Sequence, residues 1–484
     1  MISKKIYSSL AFVAAVLFLQ AQNYHGIQGS SYAGSMGVHN NPSLIVNTPY
    51  KWDITVLGAQ AKVSTNIIEV TNYSLLSSAK KSQYVFKYGE KIRFAITSAN
   101  INLLNTRISL GRKKSVAFGA NLRNYAFVKS SEYNFYDTLK NVGDLLSQNE
   151  RNQPLGADFA SSGWIELYGS YAQTILDNEY FRLNAGATIK LSRGISGVHA
   201  VFQHGKFESI PGGDPARYNI TGADVRFGYS SNFDRWQNGN SRINNLRNFL
   251  DYTEGGASID VGAELLIKTQ AVIRYGEDDY FDYDWKLGIS LLDLGVNQYK
   301  YGKQSRHMVG VRRSITNVSL NQKFDSTIRS MAMFNDSLAT VAGQFTALTG
   351  KFRILNPTRL VMNADRYILG AFYINAEVSI NLSAVFGKKW LYVKEMNLIT
   401  LTPRWETSRW GFYMPLSFNT QKQFWIGGAV KAGPLLIGLH NLAYIFSSKS
   451  LHKGGGYIAI IIRSPNGNGN KSDKRLNCPT VNNR

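Results

Sequence analysis

Strict two-residue alternation of apolar and polar side chains is the feature that most limits what this chain can fold into. From Phe181 to Arg193 one set is Phe181, Leu183, Ala185, Ala187, Ile189 and Leu191; the other is Arg182, Asn184, Gly186, Thr188, Lys190 and Ser192. From Ile259 to Lys268, Ile259, Val261, Ala263, Leu265 and Ile267 alternate with Asp260, Gly262, Glu264, Leu266 and Lys268. From Phe372 to Phe386, Phe372, Ile374, Ala376, Val378, Ile380, Leu382 and Ala384 alternate with Asn375, Glu377, Ser379, Asn381 and Ser383. Successive side chains of a strand point to opposite faces, so each segment reads as a strand with one apolar and one polar face.

A half-exposed sheet in a soluble sandwich shares this pattern. Three features select a barrel in lipid. The segments run roughly 10–13 residues, nearer the 9–11 that cross a bilayer than the usual five or six. The polar face carries charges in mid-strand, as a wet lumen allows. Aromatics bracket many strands, namely Trp52, Trp164, Tyr171, Trp285, Trp390, Tyr392, Trp410, Phe412, Trp425 and Tyr457, as expected of girdles at both membrane interfaces. Tight turns are predicted near 112–114, 176–180, 387–389 and 420–423, and long polar connections over about 64–82, 129–162, 203–255 and 302–357. The expected fold is therefore all-β. It is a single closed antiparallel transmembrane β-barrel of about 14 strands over residues 51–463, with short periplasmic turns and long external loops. Helical spacing in Ile243–Tyr252 (Leu246, Phe249, Leu250) and in Thr327–Leu348 (Ile328, Met331, Phe334, Leu338, Val341, Phe345) places short helices in those loops, either on the rim or as a lid over the lumen.

The ends set the compartment. Met1–Ala21, with Lys4 and Lys5 before the apolar Leu10–Leu19, reads as a signal peptide cleaved after Ala21. The apolar run is too short to span, and no later run of about 18 uncharged apolar residues exists. A mean hydropathy of −0.20 suits a barrel with a polar lumen. Cys478 is the one cysteine, which excludes a disulfide scaffold, a cysteine-rich zinc array and a lipoprotein anchor near the signal. It lies in the Gly-, Asn- and Lys-rich stretch 464–484, which is expected to be a disordered tail. The compartment expected is the outer membrane of a Gram-negative cell.

Residues 24–46, YHGIQGSSYAGSMGVHNNPSLIV, form a Gly-spaced stretch ending in Asn41-Pro42-Ser43. This resembles the start of barrels similar to the long-chain fatty-acid transporter. The stretches GWIELYGSYAQ (163–173), LNAGATIKLSRGISG (183–197), GASIDVGAELLIK (256–268), WKLGISLLDLGV (285–296) and RWETSRWGFYMPLSFN (404–419) resemble a Bacteroidota outer-membrane barrel family of unknown function. That family is distantly similar to the fatty-acid transporter group and to the PorV-type barrel of type IX secretion. The resemblance covers nearly the whole mature chain and implies a fold and a membrane, with no catalytic residue and no established substrate. It also implies that residues 22–50, with Asn41, Pro42 and Ser43 at the gate, enter the barrel as a hatch; lying at the periplasmic mouth is the alternative.

Luminal charges are expected at Arg182, Lys190, Asp260, Glu264, Lys268 and Glu377. Asp260 and Asp293 would pair with Arg182, Lys190 or Lys268, or stay solvated. Gly186, Gly262, Gly288 and Gly295 let a strand curve or another backbone approach. The seven histidines show no H-E-x-x-H and no i, i+4 pair, and no G-x-S-x-G occurs. The chain is thus expected to be no enzyme and to hold no cofactor or metal. A formal charge of +22 first suggests nucleic acid, but a secreted barrel without a recognition module argues against that. Outer-membrane lipid and lipopolysaccharide are better partners, met by Lys303, Arg306, Arg312 and Arg313. These lie in a stretch, 300–329, with seven basic residues against Asp325 alone. A basic lumen drawing anionic solutes and a plain solvated surface are the other readings. The expected role of this monomer is passive entry of a hydrophobic or amphipathic solute. The rival is a non-transporting scaffold for partner proteins in secretion, motility or envelope assembly.

Overall fold

The computed structural model describes residues 24, 26–72, 82–136, 141–212, 217–237, 239, 241–268, 283–386, 390–446 and 452–464. The expected signal peptide, the tail beyond Ser464 and the turn at 387–389 lie outside the described residues. Fourteen antiparallel walls close a barrel. They are β1 (Trp52–Thr65), β2 (Gly89–Ser109), β3 (Lys114–Phe135), β4 (Leu155–Asp177), β5 (Phe181–Ile210), β6 (Glu254–Ile267) and β7 (Trp285–Lys300), followed by β8 (Lys351–Leu355 and Arg359–Leu369), β9 (Phe372–Asn381), β10 (Leu398–Glu406), β11 (Trp410–Tyr413 and Leu416–Asn419), β12 (Phe424–Ile426 and Gly428–Ala432), β13 (Leu435–Leu439) and β14 (Lys453–Arg463). Each wall bonds to the next, and β14 closes on β1 from Asp53↔Arg463 to Ser64↔Lys453. Pro357 and Pro415 lack the N–H that a ladder needs, and they sit in the breaks of β8 and β11.

The period of two survives intact. In β5, Arg182, Asn184, Thr188, Lys190 and Ser192 are buried toward the lumen, while Phe181, Ala187, Ile189 and Leu191 are exposed toward lipid. β6 and β9 repeat the pattern. Short turns at 110–113, 178–180, 370–371, 407–409 and 433–434 share one end with the barrel's two termini, where the Ser464 N–H donates to the Trp52 carbonyl at 2.9 Å. Long connections gather at the other end, the loop end. The turn at 420–423 also lies there. Among the described residues no helix is long and apolar enough to cross a membrane.

Several boundaries differ from expectation. β4 has 23 residues and β5 has 30, so both run far past the bilayer, and much of 129–162 and 203–255 is strand. Outside the membrane both faces meet water, and alternation stops marking the strand. The upper part of β5 pairs with Arg217–Tyr229, which pairs with Arg306–Val311, which pairs with Ala342–Ala347. This outer lobe carries α1 (Val142–Ser147), α2 (Arg242–Leu250), α3 (Asn317–Lys323) and α4 (Met331–Val341). Leu338 and Val341 of α4 pack on Phe227, Met308 and Ile315, so the expected helix is a rim element, and Phe345 belongs to a strand. β9 ends at Asn381, before a helical turn Ser383–Phe386.

Candidate functional site in the barrel lumen

The N-terminal segment lies inside the barrel. Nearly every described residue from Tyr24 to Tyr50 is buried. Two short 3₁₀ turns, Gly34–His39 and Pro42–Ile45, fold it back on itself. The Asn41 side chain caps the second turn, accepting from the Ser43 N–H (3.0 Å) and Ser43 Oγ (2.7 Å). Its amide then donates to the backbone carbonyl of Ala263 in β6 at 3.0 Å.

Glycines make room for this turn. Gly186 of β5 pairs directly with Gly262 of β6. A Cβ on Gly186 would stand 2.7 Å from the Pro42 carbonyl carbon, and one on Gly262 would collide with the Asn41 side chain. Of the two roles open to these glycines, close approach is the one observed, by the Pro42 backbone at Gly186 and by the Asn41 side chain at Gly262. Gly295 instead faces Ala257 and Ser258 of the neighbouring strand.

Polar contacts fasten the rest of the segment. Ser35 N–H donates to Asp53 Oδ1 at 2.5 Å, and the Ser35 and Thr55 hydroxyls are 2.9 Å apart. Ser30 Oγ donates to Glu406 at 2.7 Å, and Asn40 Nδ2 to Glu377 at 2.9 Å. Arg359 of β8 donates to the His39 carbonyl at 3.0 Å. Apolar contacts seat it on two sides: Tyr24, Ile27, Ala33 and Met36 pack on Tyr413, Leu436, Tyr457 and Ile461, and Val38, Ile45 and Val46 on Ala117, Tyr168 and Ala172.

A charged layer lies next toward the loop end. Arg123 of β3 grips Asp293 of β7 through two bonds of 2.5 and 2.8 Å, a bidentate geometry. Lys190 bridges Asp260 (2.6 Å) and Asp293 (2.7 Å), and the Asp293 N–H donates to Asp260 at 2.7 Å. Asp293 sits at φ +59° beside a register shift between Leu291 and Leu294. That bulge turns its carboxylate onto the cluster. Trp164 Nε1 and Asn121 Nδ2 hold Glu166 at 2.7 and 3.0 Å, with Arg123 3.4 Å away. Lys62 meets Glu395 at 3.0 Å; a separate pair, Arg404 with Asp365 at 2.6 Å, lies nearer the turn end. These ions are buried and interlocked, as buried charges must be to persist.

Aromatic side chains roof this layer. Tyr125 and Trp164 stack at 5.6 Å, and Arg123 lies over both rings. Tyr299, Phe352, Trp425, Val393 and Met396 complete the cluster. Val393 and Met396 come from the connection between β9 and β10, so this stretch is the inward cap, in place of 327–348. Above it opens a cleft of ≈ 950 Å³, lined by Phe127, Tyr301, Phe352 and Tyr392 together with Arg226 and Arg353.

The expected luminal charges divide in two. Lys190, Asp260, Glu264 and Glu377 face the lumen. Glu264 accepts from Asn184 at 3.1 Å. Arg182 is also buried at the inward parity, but at the turn end, where it and Lys268 meet Asp177 (3.1 and 4.0 Å), so neither pairs with Asp260 or Asp293. Arg123, Glu166, Asp53 and Arg107 were not anticipated, although each sits at the inward parity of its strand. Trp164, Trp425 and Tyr457 are buried inside and do not belong to a girdle. Trp164 shares parity with Glu166, which is the signal for it. Trp52, Tyr171, Trp285, Trp390, Trp410 and Phe412 are exposed. Lys303, Arg312 and Arg313 are exposed on the outer lobe; Arg306 is half-buried and donates to the carbonyls of Lys303 and Ser305.

A closed, lipid-belted barrel with a self-supplied segment in a charged lumen defines a class, the outer-membrane-type β-barrel, a fold that points to the outer membrane. Within that class the chain belongs to DUF5723, a family of unknown function, which matches residues 42–439. No curated protein matches the chain. Among solved structures it is similar to a Pseudomonas aeruginosa FadL homologue (10% identity, TM-score 0.40, 92% of this chain and 97% of that one). It is also similar to the TodX deltaS2S3 mutant, a monoaromatic hydrocarbon channel (11%, TM-score 0.40, 93% and 99%).

Proposed function

We propose that this barrel is an outer-membrane transporter-like protein that admits a hydrophobic or amphipathic solute, with residues 26–50 as its gate. The observation that carries the reading is the polar seat of that gate. Asn40, Asn41, Ser35 and Ser30 hold it through hydrogen bonds to the walls. Water can replace each such bond at a net cost of about 0.5–1.5 kcal/mol, or about 1.5–3 kcal/mol where the wall group is a carboxylate, while the apolar contacts of Ile27, Met36, Val38 and Ile45 hold the gate shut at rest. The external cleft supplies an entry vestibule, with aromatic faces for an apolar body and Arg226 and Arg353 for a polar head.

The test locks the gate. Ser35→Cys with Thr55→Cys, on a Cys478→Ser background, places two thiols where hydroxyls now touch. In proteoliposomes loaded with amphipathic dyes, oxidation should stop uptake and dithiothreitol should restore it. Equal uptake in both states overturns the gate.

One observation favours a second reading, a non-transporting scaffold. Among the described residues the lumen is filled at successive heights by the segment, the charged layer and the aromatic layer. Absence of uptake in every redox state supports that reading.

A further inference from the structure

We propose that helix α2 and the arginines around it form a docking surface for the anionic phosphate headgroups of outer-leaflet lipid, those whose phosphate no choline or other cation neutralises. The proposal rests on the membrane placement of the barrel and is independent of the gate.

The level of the helix comes from the wall beside it. The outward apolar stripe of β5 runs through Ile189 and Leu191 and ends at Arg193, the first charge on that face. Arg193 Nη1 donates to the Thr253 carbonyl at 3.2 Å, directly after α2. The helix therefore hangs where the lipid belt stops, at headgroup height.

One side of α2 is fastened. Ser241 caps its first turn, and Asn245 exchanges bonds of 2.8 and 3.1 Å with the backbone of Gln237. Phe249 packs edge-on against Phe233 (5.4 Å) and Trp236 (6.4 Å). Among the described residues the other side is bare. Ile243, Leu246 and Leu250, at helical spacing, are 79%, 54% and 42% exposed. A contiguous apolar face of this kind marks a contact surface.

The charge beside it selects the occupant. Arg242 and Arg247 flank the stripe on the helix, and Arg235 lies over the Tyr252 ring. Of the acidic groups near by, Asp234 is engaged by Tyr229 and by the Lys303 N–H, and Glu254 by Lys351; Asp251 adds one negative charge. Apolar side chains rimmed by arginine are the pattern of a helix lying in a membrane interface. The headgroup phosphates supply the complementary charge.

The experiment uses the full chain on a Cys478→Ser background, spin-labelled through Ile243→Cys or, on the β5 wall, through Ile189→Cys. Each is reconstituted into vesicles of phosphatidylcholine alone, with phosphatidylglycerol, or with lipid A. The account expects the Ile243 label to become oxygen-accessible and shielded from a water-soluble nickel complex in both anionic vesicles, and to stay aqueous in phosphatidylcholine. A response to lipid A alone supports the surface and assigns it to that lipid. Replacing Arg193, Arg242 and Arg247 by Gln should weaken the association about fivefold per residue. A label at 243 that is aqueous in all three, or buried equally in all three, overturns the proposal. If the Ile189 label is aqueous as well, the membrane placement fails instead.

Discussion

Arg107 Nε lies 2.5 Å from Asp53 Oδ2, with both side chains wholly buried, and the other oxygen of that carboxylate accepts the Ser35 N–H. Arg107 also donates to the carbonyls of Ile45 and Tyr50. One ion pair therefore joins two adjacent walls to both halves of the luminal segment. Asp53→Ala should cost about 3–5 kcal/mol, because it strands a buried guanidinium. Urea unfolding in lipid vesicles measures this, and a loss under 1 kcal/mol would show that the pair is solvated.

Gly186 predicts a local effect. Its Cβ would press on the backbone of Pro42 and Ser43, and backbone cannot swing aside. Gly186→Ala should loosen the seat by about 1–3 kcal/mol and lower hydrogen-exchange protection across 35–46. Gly169→Ala, which meets nothing within 4 Å, should leave protection unchanged. Equal behaviour of the two variants would contradict the close approach.

The charged layer predicts non-additivity. Lys190→Met leaves Asp260 and Asp293 together without their shared cation, a loss of about 3–5 kcal/mol. Lys190→Met with Asp260→Leu removes one charge of each sign and should recover most of it. Thermal unfolding of these two variants and of Asp260→Leu alone gives the comparison; a double variant as unstable as the summed singles would sink the interpretation.

The outer lobe predicts a pH dependence. A hydrogen bond from His204 (2.6 Å), then one from the Gly310 N–H, holds the Asp224 carboxyl below the usual carboxylate range. A depressed folded pKa gives stability that is present above the unfolded value of about 3.9 and is lost as pH falls through the folded value. Exchange protection in 217–229 and 306–311 should thus decline below about pH 4, and Asp224→Asn should flatten the decline. The barrel walls serve as the internal reference.

Much of this was legible in the sequence, for a definite reason. Where lipid meets one face and the lumen the other, parity alone places Lys190, Asp260, Glu264 and Glu377 inside. Parity also places Trp164 inside with Glu166, against the expectation of a girdle. It says nothing about which inward groups meet across the barrel, so the grip of Arg123 on Asp293 was hidden, and more so because a bulge re-aims Asp293. Gly186 and Gly262 announced a close approach without naming the partner. Val393–Met396 fold inward with no periodicity at all, and β4 and β5 outrun the membrane where alternation loses its meaning.

Ion conductance of the full-length protein in planar lipid bilayers is the most direct test of a lumen closed by its own N-terminal segment. The account predicts that the wild type carries no steady open-pore current, and that Gly186→Leu, which drives a large side chain into the Pro42 seat, produces discrete openings. A wild-type protein with a large steady conductance, unchanged by Gly186→Leu, would contradict it.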